Sequence, residues 1–460
     1  MSGGHDGAAV LRLDDVAVDR SSVTIQWRVD EHRFRSELRY DDVDLVALGR
    51  VIGADQLDRL AFHLALLELS KGINLRPGTL DLGRWAHLYT AAVDRLWRRI
   101  VHGVWAQWRW ERDDPWYAGP TCAVSTAPDL PPIRVTAGPV PSLLFCGGGK
   151  DSLVAMHLLE RIGAPYAALG YASSTYGAAA PQHALLDDLL AHGRATRVHR
   201  RADVDDFTPW ARATGLPHLA AETPTSVLAA LPIVLQEGHR HVVLAHERSA
   251  NAPNLVWERT GEGVNHQWAK SLEAEELLGC YVRTHLVDGL DYVGLLQPAG
   301  DPLIFSVLAQ RLEAVPATHS CNVAKPWCGR CPKCAYVWLN YKAWLPWDVV
   351  DPMFGGANLL DVPENQMWFR QLLGLEHHTP FECVGQPAEA RLAFAMCSRR
   401  GLDGAAMRHF EELPAEDWVA VAGAACVSCS PRRPPRTEAR QRAEESMSAE
   451  STFSPVSPAA

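Results

Sequence analysis

Residues Leu143 to Ser152 read Leu-Leu-Phe-Cys-Gly-Gly-Gly-Lys-Asp-Ser, an apolar run, three glycines and a helix start in succession. That order suits an anion: glycines let backbone N–H groups close around it, and the next helix turns its positive end toward it. A Walker loop would need Gly, four residues, then Gly-Lys-Ser/Thr, whereas Lys150 is followed by Asp151 and position 144 is Leu. A dinucleotide fingerprint would need a glycine where Ser152 stands. The plain alternative is a tight turn without a ligand. Three successive glycines speak against it, because fixing their backbone is costly.

Three further constellations could do chemistry. Glu247-Arg248-Ser249-Ala250-Asn251 and Val264-Asn265-His266-Gln267-Trp268-Ala269-Lys270-Ser271 are dense in hydrogen-bonding side chains; either alone could be an ordinary polar loop. Cys321, Cys328, Cys331 and Cys334 are separated by six, two and two residues, with Gly329 and Pro332 between them. Four sulfurs so spaced suit tetrahedral zinc, while a redox pair, unmetallated thiols or a thiol acting as base remain open. Pro380-Phe381-Glu382-Cys383-Val384-Gly385 adds a carboxylate and a thiol before a helix over 387–397.

The elements around these residues alternate. From Val140 the pattern is strand, loop, helix, repeated: Val154, Leu158 and Ile162 follow the glycine loop at helical spacing, and 166–171 and 241–246 are short apolar strands. This predicts an α/β fold with a doubly wound parallel sheet, whose ligands sit at the carboxyl ends of the strands. The expected domains are an N-terminal α+β domain over 1–138, a nucleotide domain over 139–315, a Cys-rich helical region over 316–429 and a disordered tail over 430–460. The N-terminal part offers alternating strands around Val23–Val29 and Phe34–Tyr40, then helices around 57–67 and 93–108. A linker, Pro115–Pro141, carries seven prolines. Trp105, Trp108, Trp110 and Trp116 could form a stacking platform, but their spacing reads as core packing.

Net charge is -10 and the isoelectric point about 6.0, which argues against a large surface for nucleic acid or anionic membrane and leaves room only for a local basic patch. The first residues lack a signal-peptide pattern, and no apolar run approaches the roughly 20 residues that span a bilayer. A cytoplasmic protein without membrane insertion is expected. Its eleven cysteines read as thiols or metal ligands.

The loop resembles the Ser-Gly-Gly-x-Asp-Ser loop of the PP-loop ATP pyrophosphatases, matched at Gly148, Gly149, Asp151 and Ser152, with Gly147 standing in place of Ser. The resemblance implies a grip on the β and γ phosphates, attack at the α phosphorus and pyrophosphate as leaving group; Lys150 could supply charge that the missing hydroxyl does not. Gly-Gly-Lys-Asp-Ser, Glu-Arg-Ser-Ala-Asn, Val-Asn-His-Gln-Trp-x-Lys-Ser, Trp-Cys-Gly-x-Cys-Pro-Lys-Cys and Phe-Glu-Cys-Val-Gly together resemble the MurL family of UDP-N-acetyl-α-D-muramoyl-L-alanyl-L-glutamate epimerases, over roughly residues 10 to 410.

That resemblance implies ATP- and magnesium-dependent inversion of the terminal L-glutamate of a peptidoglycan precursor, a UDP-sugar peptide. The cofactor-binding residues would be Gly147, Gly148, Gly149, Lys150, Asp151 and Ser152. The catalytic pool would be His266, Cys383, Glu247 and Lys270, and the substrate-binding residues Arg248, Ser249, Asn251, Asn265 and Gln267. Rival readings are an amide- or nitrile-forming adenylating enzyme similar to 7-cyano-7-deazaguanine synthase, which also pairs this loop with four cysteines, and an ATP-binding module without catalysis. A sulfur-transferring tRNA enzyme fits the acidic surface poorly.

Overall fold

The computed structural model describes residues 9–414 apart from residue 218. The tail over 430–460 and the end of the Cys-rich region from 415 lie outside the described residues. One nine-stranded sheet runs through the chain. In chain order its strands are β1 (Val10–Val18), β2 (Ser22–Val29), β3 (His32–Tyr40), β4 (Thr79–Asp81), β5 (Ser142–Cys146), β6 (Tyr166–Ser173), β7 (Val198–Asp205), β8 (His241–Glu247) and β9 (Asp291–Leu296). Across the sheet they stand in the order β9-β8-β5-β6-β7-β3-β2-β1-β4.

From β5 the chain moves to one side through β6 and β7, then returns to the other side for β8 and β9. These five strands are parallel. The reversal happens at β5, so the carboxyl end of that strand is a topological switch point, and the glycine loop begins there. The β1–β3 meander joins the same sheet: β3 pairs antiparallel with β7, Arg39 opposite Ala202. The result is a mixed α/β fold with a large, mostly parallel sheet.

Side-chain parity divides the interior in two. Leu143 and Phe145 of β5, Leu169 of β6 and Val242 and Leu244 of β8 enter one core, with α1 (Ala54–Leu69), α2 (Ala91–Val104) and α4 (Leu272–Tyr281). Leu144, Cys146, Ala168 and Val243 enter the other, with α3 (Lys150–Arg161), α5 (Asp301–Leu308), α6 (Pro332–Trp344) and α7 (Pro387–Arg399). The N-terminal and C-terminal parts of the chain thus cover opposite faces of one sheet. With both faces covered, β5 is buried at every position and loses the alternation of a half-exposed strand.

β7 is invisible to apolar periodicity because it reads Val-His-Arg-Arg-Ala-Asp-Val-Asp. Its inward charges are paired instead: fully buried Arg201 donates to Asp203 at 2.7 Å, and His199 Nδ1 lies 2.8 Å from Asp42. The tryptophans divide. Trp105 and Trp108 are fully buried and Trp110 packs against Phe381 at 5.3 Å, but Trp116 is 79% exposed and is no part of the core. The helix Ala106–Glu111 ends before Pro115, so Trp116 no longer follows its phase. No helix among the described residues is long and apolar enough to cross a membrane.

Trp105→Ala is expected to cost about 3–5 kcal/mol in denaturant unfolding, as a large core deletion does. Trp116→Ala should stay within about 0.5 kcal/mol of the unchanged protein.

Candidate active site

Gly147–Gly149 make the turn between β5 and α3. Gly148 sits at φ +86°, and a Cβ there would lie 2.1 Å from His319 Nε2. A Cβ on Gly149 would lie 2.7 Å from Ser320 Oγ. These two glycines are needed because the strap His319-Ser320 crosses the loop, with the His319 N–H donating to the Gly148 carbonyl at 2.8 Å. Gly147 differs, since its Cβ would meet only Tyr171 Oη at 3.6 Å, an ordinary contact that leaves room for serine. The Gly147 N–H donates to Ser152 Oγ at 3.0 Å. No side chain caps α3, so its first-turn N–H groups are without a side-chain acceptor, the arrangement that receives an anion.

Lys150 does not reach outward. Its side chain is 1% exposed, and Nζ lies 2.6 Å from Asp151, 2.5 Å from Asp301 and 3.5 Å from Glu247. Burial alone would lower its pKa; the three carboxylates outweigh burial and raise it. Burial and the Asp301 charge push Glu247 well up, against the pull of Lys150. Asp301 goes the other way, because Lys150 and the hydrogen bonds, including one from Tyr336 Oη at 2.7 Å, outweigh its burial. Asp151, Glu247 and Asp301 bring carboxylate oxygens within 4.8 Å of one another, as a metal site would, but an ammonium already stands among them.

The second cluster joins residues far apart in the chain. Lys270 Nζ donates to Cys383 Sγ at 2.9 Å, and His266, Glu382 and Cys383 place their polar atoms within 4.8 Å of one another. Burial would raise the Cys383 thiol, but the Lys270 charge and a hydrogen bond with His266 bring it down to about 7. His266 is raised, its burial outweighed by the bond to and the charge of Cys383. Lys270 is raised as well, again against burial, by the same sulfur. The arrangement is a thiol held between an imidazole and an ammonium, both of which favour its thiolate.

The polar strings frame this cluster. Gln267 Nε2 donates to the Val384 carbonyl at 3.0 Å, and Asn265 Nδ2 to that of Ala250 at 2.9 Å. Asn251 Nδ2 donates to Gln297 at 2.9 Å, and Gln297 in turn to the Lys270 carbonyl at 2.8 Å. Arg248 lies against Gly300, where a Cβ would be 2.6 Å from its Nη2. Ser249 Oγ is buried without a hydrogen-bond partner among the described residues, a polar atom placed as a ligand contact would be. The amides thus position loops, while Ser249 and the Cys383 group offer chemistry.

The four cysteines meet as their spacing predicts. Sγ atoms of Cys321 and Cys331, and of Cys328 and Cys334, are 3.8 Å apart, and all four lie within 4.8 Å. Four sulfurs about 2.3 Å from one zinc would stand about 3.8 Å from each other, so the donor set fits tetrahedral zinc. Backbone N–H groups of Val323 and Ala324 donate to the Cys321 sulfur, each at 3.3 Å, as they would to a thiolate. This knot carries both halves of the site. Cys321 follows the strap over the glycine loop, Asn322 donates to Glu382 at 2.7 Å, and Lys333 donates to the Cys383 carbonyl.

Residues without a motif complete the site: His319, Ser320, Asp301, Tyr336 and Gln107. Proximity to Cys321 was the available signal for His319 and Ser320; no local signal exists for the others. A cavity of about 310 Å³ near Arg59, His63, Trp85 and Tyr281 is lined by none of the candidate residues.

Comparison with known proteins adds a second line. Residues 117–295 match the MurL N-terminal domain and residues 317–415 the MurL C-terminal domain. A UDP-N-acetyl-alpha-D-muramoyl-L-alanyl-L-glutamate epimerase of Micromonospora sp. is 34% identical over 266 residues, covering 55% of this chain and 56% of the relative. Proteins of the same name from Salinispora tropica and Xanthomonas oryzae pv. oryzae are each 32% identical, over 58% and 60% of this chain and 57% and 60% of theirs. The matches thus span less than two thirds of the length of these curated relatives.

Alkylation of Cys383 by iodoacetamide, followed by mass spectrometry of its peptide, should titrate with a midpoint near 7. The thiolate is present above that pH and lost below it. In Lys270→Met the ammonium no longer opposes burial, so the midpoint should rise above the ordinary thiol value of about 8.5.

Proposed function

Because the chain belongs to the MurL family, we propose that it inverts the terminal L-glutamate of UDP-N-acetyl-α-D-muramoyl-L-alanyl-L-glutamate to D-glutamate, in the cytoplasm, during peptidoglycan precursor synthesis. The observation that carries this reading is the Lys270–Cys383–His266 cluster, tied by one short strap to the glycine loop.

The chemistry explains why an epimerase would carry a phosphate loop. A carboxylate beside Cα resists loss of the Cα proton, because a second negative charge would develop next to the first. Adenylation of that carboxylate by ATP removes the charge and turns the carbonyl into an electron sink. The loop Gly147–Gly149, with Asp151 and Ser152, would hold the β and γ phosphates, so that pyrophosphate leaves. Magnesium would accompany them, with Asp151 the most accessible carboxylate of its trio at 25% side-chain exposure.

The thiolate of Cys383 then takes the proton, with His266 as its hydrogen-bond partner and Lys270 holding its charge. Glu247, engaged with Lys150, supports the loop. An acid on the opposite face returns a proton to Cα, and water hydrolyses the acyl adenylate, releasing AMP and the free carboxylate. Cys321, Cys328, Cys331 and Cys334 would hold a structural zinc, which would keep strap and base in register.

The decisive experiment supplies ATP, magnesium and the L- or D-glutamate precursor in deuterium oxide. AMP together with deuterium at the glutamate Cα is expected. AMP without exchange would point to the amide- or nitrile-forming rival, and no AMP with either precursor to a non-catalytic nucleotide module. Metal analysis should find one zinc per chain, lost in Cys331→Ala together with thermal stability. Absence of zinc from the unchanged protein would remove the structural-metal part of the reading.

A further inference from the structure

His266 has two ring nitrogens, and only one can face Cys383. Its Nδ1 lies 2.6 Å from Gln107 Oε1, and its backbone N–H donates to Asn254 Oδ1 at 2.9 Å, which holds the residue in place. An amide can present either its oxygen or its nitrogen to a histidine. Here the choice is made one helical turn away: Gln107 Nε2 donates to Glu111 Oε1 at 2.6 Å, and a carboxylate only accepts. The amide oxygen therefore faces His266, Nδ1 must carry a hydrogen, and Nε2 is left for the sulfur.

We propose that Gln107, oriented by Glu111, is a positioning residue that fixes the tautomer of His266 and so maintains the Cys383 thiolate. The helix Ala106–Glu111 lies upstream of both family matches, so the N-terminal segment contributes directly to the site. The inference rests on reading His266 and Cys383 as the proton-transfer pair. An oxygen acceptor on Nδ1 favours the imidazolium, and an imidazolium favours the thiolate beside it; a nitrogen donor there would oppose both. The other charged groups facing the pair are Lys270, Glu382 and Lys333 around Cys383, and Glu222 on the side of His266. None of these bonds to Nδ1 among the described residues, so none replaces Gln107 in setting the tautomer.

The test is the pH dependence of Cys383 alkylation, which needs no substrate, read beside epimerisation. In Gln107→Leu the alkylation midpoint should rise by about one pH unit, leaving about fivefold less thiolate at about pH 7. The pH profile of kcat should move with it while KM stays within about twofold. The double variant Gln107→Glu with Glu111→Gln exchanges the partners but again offers Nδ1 an oxygen, and should restore the low midpoint. An unchanged midpoint in Gln107→Leu, or a double variant as shifted as the single one, would overturn the proposal. If the midpoints behave as stated but no epimerisation occurs with either precursor, the positioning role stands and the proposed reaction falls.

Discussion

Everything in the site hangs on the burial of one ammonium. Lys150 is 1% exposed, and a charge so placed is tolerable only with partners. Asp151 comes from the first turn of α3, Glu247 from the end of β8 and Asp301 from the start of α5. The Asp301 N–H donates to Glu389 Oε1 at 3.0 Å, which draws in α7. Four elements converge on the turn that carries the glycines. Removing one partner from such a buried set typically costs 3–5 kcal/mol, so the loop is held far more tightly than its glycines alone would hold it.

The cysteine knot supplies a second constraint. Its first thiol follows the strap that lies on Gly148 and Gly149, and Asn322 and Lys333 reach the loop of Cys383. The glycine loop and Cys383 belong to different parts of the chain, and a cluster of sulfurs spanning fourteen positions, 321–334, contacts the neighbours of both.

The two faces of the sheet divide the work. The C-terminal part, with α6 and α7, covers one face and delivers the strap, the knot and Cys383. The N-terminal part covers the other and delivers Gln107 to His266. Because β3 pairs with β7, the N-terminal meander extends the same sheet as the glycine loop. That pairing involves a strand rich in Arg and Asp, which apolar patterning does not reveal.

What could be read without the structure was local. The glycine loop, the alternation behind β5, β6 and β8, and the cysteine spacing are patterns within a few residues, where chain geometry allows few outcomes. Their type was therefore set by the sequence itself. Tertiary structure alone decided where the charges went. Lys150 meets Asp301 across 151 positions, Lys270 meets Cys383 across 113, and His266 meets Gln107 across 159. Asp301 and Gln107 are unremarkable in their own segments, and the motifs that hold Lys150, Lys270, His266 and Cys383 do not name their partners. The role of each follows from the partner that burial forces on it, and that partner is chosen by the packing of the whole sheet, which no local pattern encodes.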